Sequence, residues 1–94
     1  MPDVFKALSD PTRREILKLL RHGDLTAGAI AENFEMAKPS VSHHLSALKA
    51  VGLVHAERRG QEIVYSLDTT VFQDVVTYLL DMFGSPEEET RDDE

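Results

Sequence analysis

Apolar residues recur at helical spacing in several stretches of the chain and alternate in one. Ile16, Leu17, Leu19 and Leu20 line one side of "SDPTRREILKLLRHG", which Gly23 brings to a stop. Asp10 stands where an N-cap belongs and Pro11 where a missing N–H costs nothing, so a helix is predicted to start there. Val4, Phe5 and Leu8 predict a short helix ahead of it. Behind Thr26 as a cap, Ala27, Ile30, Ala31 and Phe34 fall at i, i+3, i+4 and i+7, a helix through "TAGAIAENF". Only Glu35, Met36 and Ala37 then precede the next helix. There Pro39 occupies the first turn, Val41, Leu45 and Leu48 continue at i, i+4 and i+7, and Gly52 ends the run. Two short helices joined this closely form the helix-turn-helix pattern.

The alternating stretch follows at once. In "VHAERRGQEIVYSL", Ile63, Tyr65 and Leu67 alternate with Val64 and Ser66, and Gly60 marks a turn after Arg58 and Arg59. That is a hairpin, and a hairpin directly after a helix-turn-helix makes a wing. The last helix, in "TTVFQDVVTYLLDMFG", ends at Gly84 and Pro86. Its stripe of Phe72, Val75, Val76, Leu79 and Phe83 is broadened by Val71, Tyr78 and Met82 well beyond one face. Left on a monomer of 94 residues, such a helix would expose a large apolar patch. Dimerisation through it, together with Val4, Phe5 and Leu8, accounts for the composition, and two-fold symmetry follows. The expected fold is therefore mostly α with a small β-hairpin, a winged helix-turn-helix that dimerises through its first and last helices. Residues 1–84 form the expected DNA-binding and dimerisation domain, and residues 85–94 an acidic, disordered tail.

Charge changes the picture only once its placement is considered. The net charge of −7 argues against a nucleic-acid partner, but "EEETRDDE" at the C-terminus carries −5 of it. Between Met36 and Gln61, Lys38, Lys49, Arg58 and Arg59 face Glu57 alone. A local basic patch governs phosphate contact more than the total does. There is no cysteine, which excludes disulfides and thiolate metal sites. The N-terminus lacks the pattern of a signal peptide, and no apolar run reaches the length of a membrane span, so the expectation is a cytoplasmic protein without membrane contact.

The adjacent His43 and His44 raise the question of a metal or catalytic site. Neighbours on a helix do not face each other, and no acid stands three or four residues from either, so they cannot jointly chelate an ion. Ser42 lies on the wrong face for a nucleophile–base pair with His43, and no strand–turn–helix elbow surrounds it. No enzymatic activity, metal or other cofactor is expected. Relative to the stripe of Val41, Leu45 and Leu48, His43 points outward by about 160°, while His44 sits near the core boundary as a half-buried packing residue. Pro39, Ser40, Ser42, Ser46 and Ala47 share the outer half. That half carries no acid in a protein with 17 of them. It is either an ordinary solvated face or one built to approach a major groove closely.

These residues resemble a known family. "FKALSDPTRREILKLL", "LTAGAIAENFEMAKPSVSHHLSALKAVGLV" and "RRGQEIVYSL" are similar to the winged-helix repressors of the arsenical-resistance regulator (ArsR) family, and most of all to its short SdpR-like autorepressors. The resemblance covers residues 3–83. It implies a homodimeric repressor of transcription whose 38–50 helix enters the major groove of double-stranded DNA at an inverted-repeat operator. It places recognition at Ser40, Ser42 and His43, with Lys38 near the helix start, and the wing tip at Arg58, Arg59, Gly60 and Gln61. Arg13 and Arg14 are either further phosphate contacts or part of a salt-bridged helix start. Metal-sensing members carry a Cys-x-Cys pair at the helix that here reads "LTAGAIAENF", or Asp and His on the last helix. This chain has no cysteine and offers Gln73, Asp74 and Asp81 without a histidine. No inducer can be inherited, which leaves open an unidentified effector or protein partner, and the roles of His22 and His55, both expected at the surface. The competing expectation is a winged-helix module that binds a protein through the 38–50 face or the apolar last helix.

Overall fold

The computed structural model describes residues 3–84, so the expected acidic tail lies outside the described residues. Helix α1 (Val4–Leu8) leads into α2 (Pro11–Leu20), and strand β1 (Leu25–Thr26) precedes α3 (Ala27–Ala31). Helix α4 (Lys38–Ala50), strands β2 (Val54–Arg59) and β3 (Glu62–Leu67), and helix α5 (Thr69–Phe83) complete the order.

The helix starts follow the local chemistry. Asp10 accepts from the Arg13 backbone N–H at 3.0 Å ahead of Pro11, and Thr26 Oγ1 accepts from Ala29 N–H at 3.1 Å. Asp68, not foreseen as a cap, accepts from Val71 N–H at 3.0 Å and starts α5. The close of α4 is a Schellman motif: Gly52 N–H donates to Lys49 O and Leu53 N–H to Leu48 O. Gly52 adopts φ +82°, a region that a side chain would strain.

One expectation needs correction, and the expected hairpin is present but extended. Helix α3 ends at Ala31, so it does not run on through Phe34, and six residues separate it from α4. The reason is a tightened last turn. Asn33 and Phe34 donate to Ile30 O and Ala31 O, three residues back, and Asn33 Nδ2 donates to Ala29 O. The wing is also larger than a hairpin. Leu25 and Thr26 pair antiparallel with Tyr65 and Val64, giving a three-stranded sheet in the order β1-β3-β2. Arg59 pairs with Glu62 across a two-residue turn in which Gly60 has φ +66°, the pattern of a type II′ hairpin.

The core is wholly apolar among the described residues. Ile16, Leu17 and Leu20 of α2 meet Ile30 of α3 and Val41, Leu45 and Leu48 of α4, with Leu53 and Val54 closing the side toward the sheet. The α4 stripe read from periodicity is the buried one. By contrast α5 has no buried residue, although Val71 and Phe72 lean on the core. Of the side chains expected at a dimer interface, Val4, Leu8, Phe72 and Val75 are half-buried, whereas Phe5, Val76, Leu79 and Phe83 stand exposed. Tyr78, Leu80 and Met82 are exposed as well, Leu80 being absent from the sequence-based stripe.

Leu45→Ala removes a side chain that is 1% exposed at the junction of α2, α3 and α4. The expected cost is about 2–5 kcal/mol of unfolding free energy, read by urea denaturation at fixed protein concentration.

Candidate nucleic-acid interface

Burial of Val41, Leu45 and Leu48 turns the opposite side of α4 to solvent. Ser40, Ser42, His43 and Ser46 are all exposed, as is Lys38 at the helix start, and no carboxylate stands among them. Pro39 in the first turn carries no N–H, and Ala37, which precedes the helix, offers no side-chain cap. The first turn of α4 therefore presents an uncapped, positively polarised helix end beside Lys38.

The two histidines are separated by their surroundings. His43 faces water. His44 is half-buried, its side chain 16% exposed, and lies against the start of α2. There Arg13 Nε–H donates to His44 Nδ1 at 3.2 Å. A guanidinium N–H can only donate, so Nδ1 is the acceptor in this contact. Asp10 Oδ2 is 3.7 Å from the same nitrogen, beyond hydrogen-bond reach. The Arg13 backbone N–H, which donates to Asp10, holds its carboxyl below the ordinary carboxylate value against the opposing effect of burial, and the neighbouring His44 and Arg13 act in the same direction as that bond. His44 is thus the packing residue expected, with a specific tie to α2 that the sequence did not reveal.

Arg13 is consequently directed inward. Arg14 Nη1–H donates to Leu8 O at 2.8 Å and ties α1 to α2. Both guanidinium groups hold intramolecular partners, a ring nitrogen and a carbonyl, and neither forms the expected helix-start salt bridge among the described residues.

At the wing, Arg58, Arg59, Gly60 and Gln61 are exposed around the turn. Arg58 Nε–H donates weakly to Gly60 O at 3.3 Å. Arg59 is held by Glu57, with its Nε and a terminal nitrogen each 2.7 Å from one carboxylate oxygen. An exposed pair of this kind is worth little, so Arg59 can leave it for a phosphate at small cost. On the same strand His55 Nε2–H donates to Asp68 Oδ2 at 2.7 Å, so an exposed wing histidine braces the cap of α5. The Val71 N–H, followed by the His55 contact, holds the Asp68 carboxyl below its usual range. His22 is exposed beyond the end of α2, as expected. No group of three or more metal-ligating side chains occurs among the described residues, and no helix among them is long and apolar enough to cross a membrane.

Comparison with known proteins fits this geometry. Residues 10–56 match the family described as bacterial regulatory protein, arsR family. The chain is 55% identical over 84 residues to the transcriptional repressor SdpR of Bacillus subtilis, covering 89% of this chain and 93% of that one. It is 35% identical over 85 residues to an arsenical resistance operon repressor of Staphylococcus xylosus, covering 90% and 81%. Among solved structures, the crystal structure of an ArsR family transcriptional regulator superposes with a TM-score of 0.79 at 32% identity, covering 83% of this chain and 86% of that one. The solution structure of a homodimeric winged helix-turn-helix DNA-binding domain from Mycobacterium bovis gives 0.70 at 36% identity, covering 83% and 75%.

The depressed carboxyls of Asp10 and Asp68 set a pH dependence. A carboxyl held low in the folded chain adds stability that is present above the unfolded value and is lost as pH falls through the folded value. The stability gap between wild type and Asp68→Asn is therefore expected to be full near about pH 6 and to shrink steadily below about pH 4. Urea denaturation across that range reads it, and a gap independent of pH would show that charge is not its source.

Proposed function

The chain belongs to the arsR family of bacterial regulatory proteins, a transcriptional repressor with a DNA-binding winged helix-turn-helix and not an enzyme, and from that premise we propose that it acts in the cytoplasm as a homodimer on an inverted-repeat operator overlapping a promoter, its own among the candidates. The observation that carries this reading is the outer face of α4, where small hydroxyls and one imidazole stand in solvent without an acid among them. Such a face can approach base edges closely, with serine hydroxyls and His43 as donors and acceptors. Ser40, Ser42, His43 and Ser46 would read bases. Lys38 with the uncapped helix end, Arg58, Arg59 and Gln61 would hold the backbone.

The homodimer is supported by the exposed apolar side chains of α5 and Phe5 and by the homodimeric state of the Mycobacterium bovis domain. Two recognition helices related by a two-fold axis would address half-sites about one helical turn, or a multiple of it, apart. With no cysteine in the chain and no histidine on α5, this repressor would lack the metal and thiol sensing sites that the family resemblance implies for other members.

Enrichment of random duplexes on the purified protein at near-physiological salt tests the reading. A symmetric inverted repeat is expected, and enrichment without symmetry would overturn it. On the selected operator, Arg58→Ala is expected to weaken binding to every duplex and to reduce the salt slope by about 0.9, one phosphate contact. Ser42→Ala should cost about 1–3 kcal/mol on the operator alone. Identical patterns for the two would refute the division of roles. Glu57→Gln, which releases Arg59, should tighten binding to all duplexes in titrations at low salt.

A further inference from the structure

Helix α4 has few polar anchors. Ala37 ahead of it offers no side-chain cap, and six residues separate it from α3. Among the described residues, the one hydrogen bond made by an α4 side chain is that of His44, which accepts from Arg13 Nε–H at 3.2 Å across 31 positions of chain. Both partners are half-buried. Arg13 is in turn set by Asp10, whose carboxylate accepts from the Arg13 backbone N–H at 3.0 Å as it caps α2. The contacts therefore run from a helix cap through one side chain into the middle of α4.

His44 stands inside the stretch 40–46 whose outer side is proposed to read bases. Ser40 lies one turn before it, and the His43 ring centroid is 5.9 Å from its own. We infer that Arg13, acting through the His44 ring, is a positioning residue for base readout: its Nε–H sets the rotation of α4 at which Ser40, Ser42, His43 and Ser46 meet base edges. Burial of Val41, Leu45 and Leu48 turns the outer face to solvent, but a base contact needs its donor placed within about 0.5 Å. A hydrogen bond is directional, so a turn of α4 about its axis would bend this contact while carrying the outer residues off their bases.

This role differs from a phosphate contact and from a salt bridge, because it uses the donor of Arg13 and not its charge. Side-chain geometry separates the two. Glutamine carries an N–H donor as many bonds from Cα as arginine Nε, without the charge, whereas methionine puts a methyl group there. Asparagine carries an acceptor as many bonds from Cα as histidine Nδ1, and leucine carries none. The consequence at DNA rests on the repressor reading, whereas the setting of α4 by Arg13 does not.

The test compares these variants of the full chain on the selected operator and on an unrelated duplex. Arg13→Met and His44→Leu are each expected to weaken operator binding by about tenfold and to leave the unrelated duplex unchanged. Arg13→Gln and His44→Asn should stay within about threefold of wild type on both. The double variant Arg13→Met/His44→Leu should lose no more than either single change, since both break one contact. Equal losses for Arg13→Gln and Arg13→Met on every duplex would make Arg13 a phosphate contact and overturn the inference. Additive losses, unchanged operator binding in all variants, or failure of both Arg13→Met and His44→Leu to fold would overturn it too. Residual dipolar couplings of the DNA-free chain read the orientation of α4 against α2 directly. They should change in Arg13→Met and His44→Leu and hold in Arg13→Gln. Couplings unchanged throughout would overturn the inference whatever the chain binds. Couplings that change as expected, in a protein that prefers no operator, would refute the repressor reading alone.

Discussion

Water drives Val41, Leu45 and Leu48 into the space between α2, α3 and β2, and their burial fixes how α4 is turned about its axis. With the stripe inside, the outer residues have no choice of direction. Lys38, Ser40, Ser42, His43 and Ser46 must face solvent. The chain then need only keep that outer half free of acids and bulky apolar groups for it to serve as a contact surface. The Schellman close at Gly52 completes the arrangement. It sends the chain directly through Leu53 and Val54, both buried, into the wing, so α4 and the wing hang on one stretch of core.

How much of this could be read beforehand depended on the range of the interaction. Helical periods are local, and they identified α2, α4 and α5 and the buried stripe of each helix that has one. The caps at Asp10 and Thr26 were legible because a cap acts on residues two or three positions ahead. Strand β1 was not, since two residues are too few to alternate and their partners lie some forty positions away in β3. Helix α3 was overextended because Phe34 keeps the helical spacing while the backbone before it tightens into three-residue bonds. In the candidate interface, the outer residues of α4 were found from angle alone. The ties Arg13–His44 and His55–Asp68 were missed because they join elements 31 and 13 residues apart and leave no mark in either local pattern.

Those two ties add directional contacts that the core does not supply. Every buried side chain among the described residues is apolar, so the core carries no directional polar contact. Such contacts stand at the periphery instead. Arg13 and His44 relate α2 to α4, Arg14 relates α2 to α1, and His55 relates the wing to α5. None is deeply buried, so each can be exchanged without opening the core.

His43 and His44 show how finely one helix divides its obligations. They differ by a single step of about 100°. That step carries one ring into solvent and the other onto Arg13 at the start of α2. Variation at position 44 is answerable to the fold, because a replacement must still accept from a guanidinium in a half-buried niche. Variation at position 43 is answerable only to whatever the surface meets. Neighbouring codons are thus exposed to different selection, and a lineage can change what its α4 touches, one residue at a time, while inheriting the same scaffold unchanged.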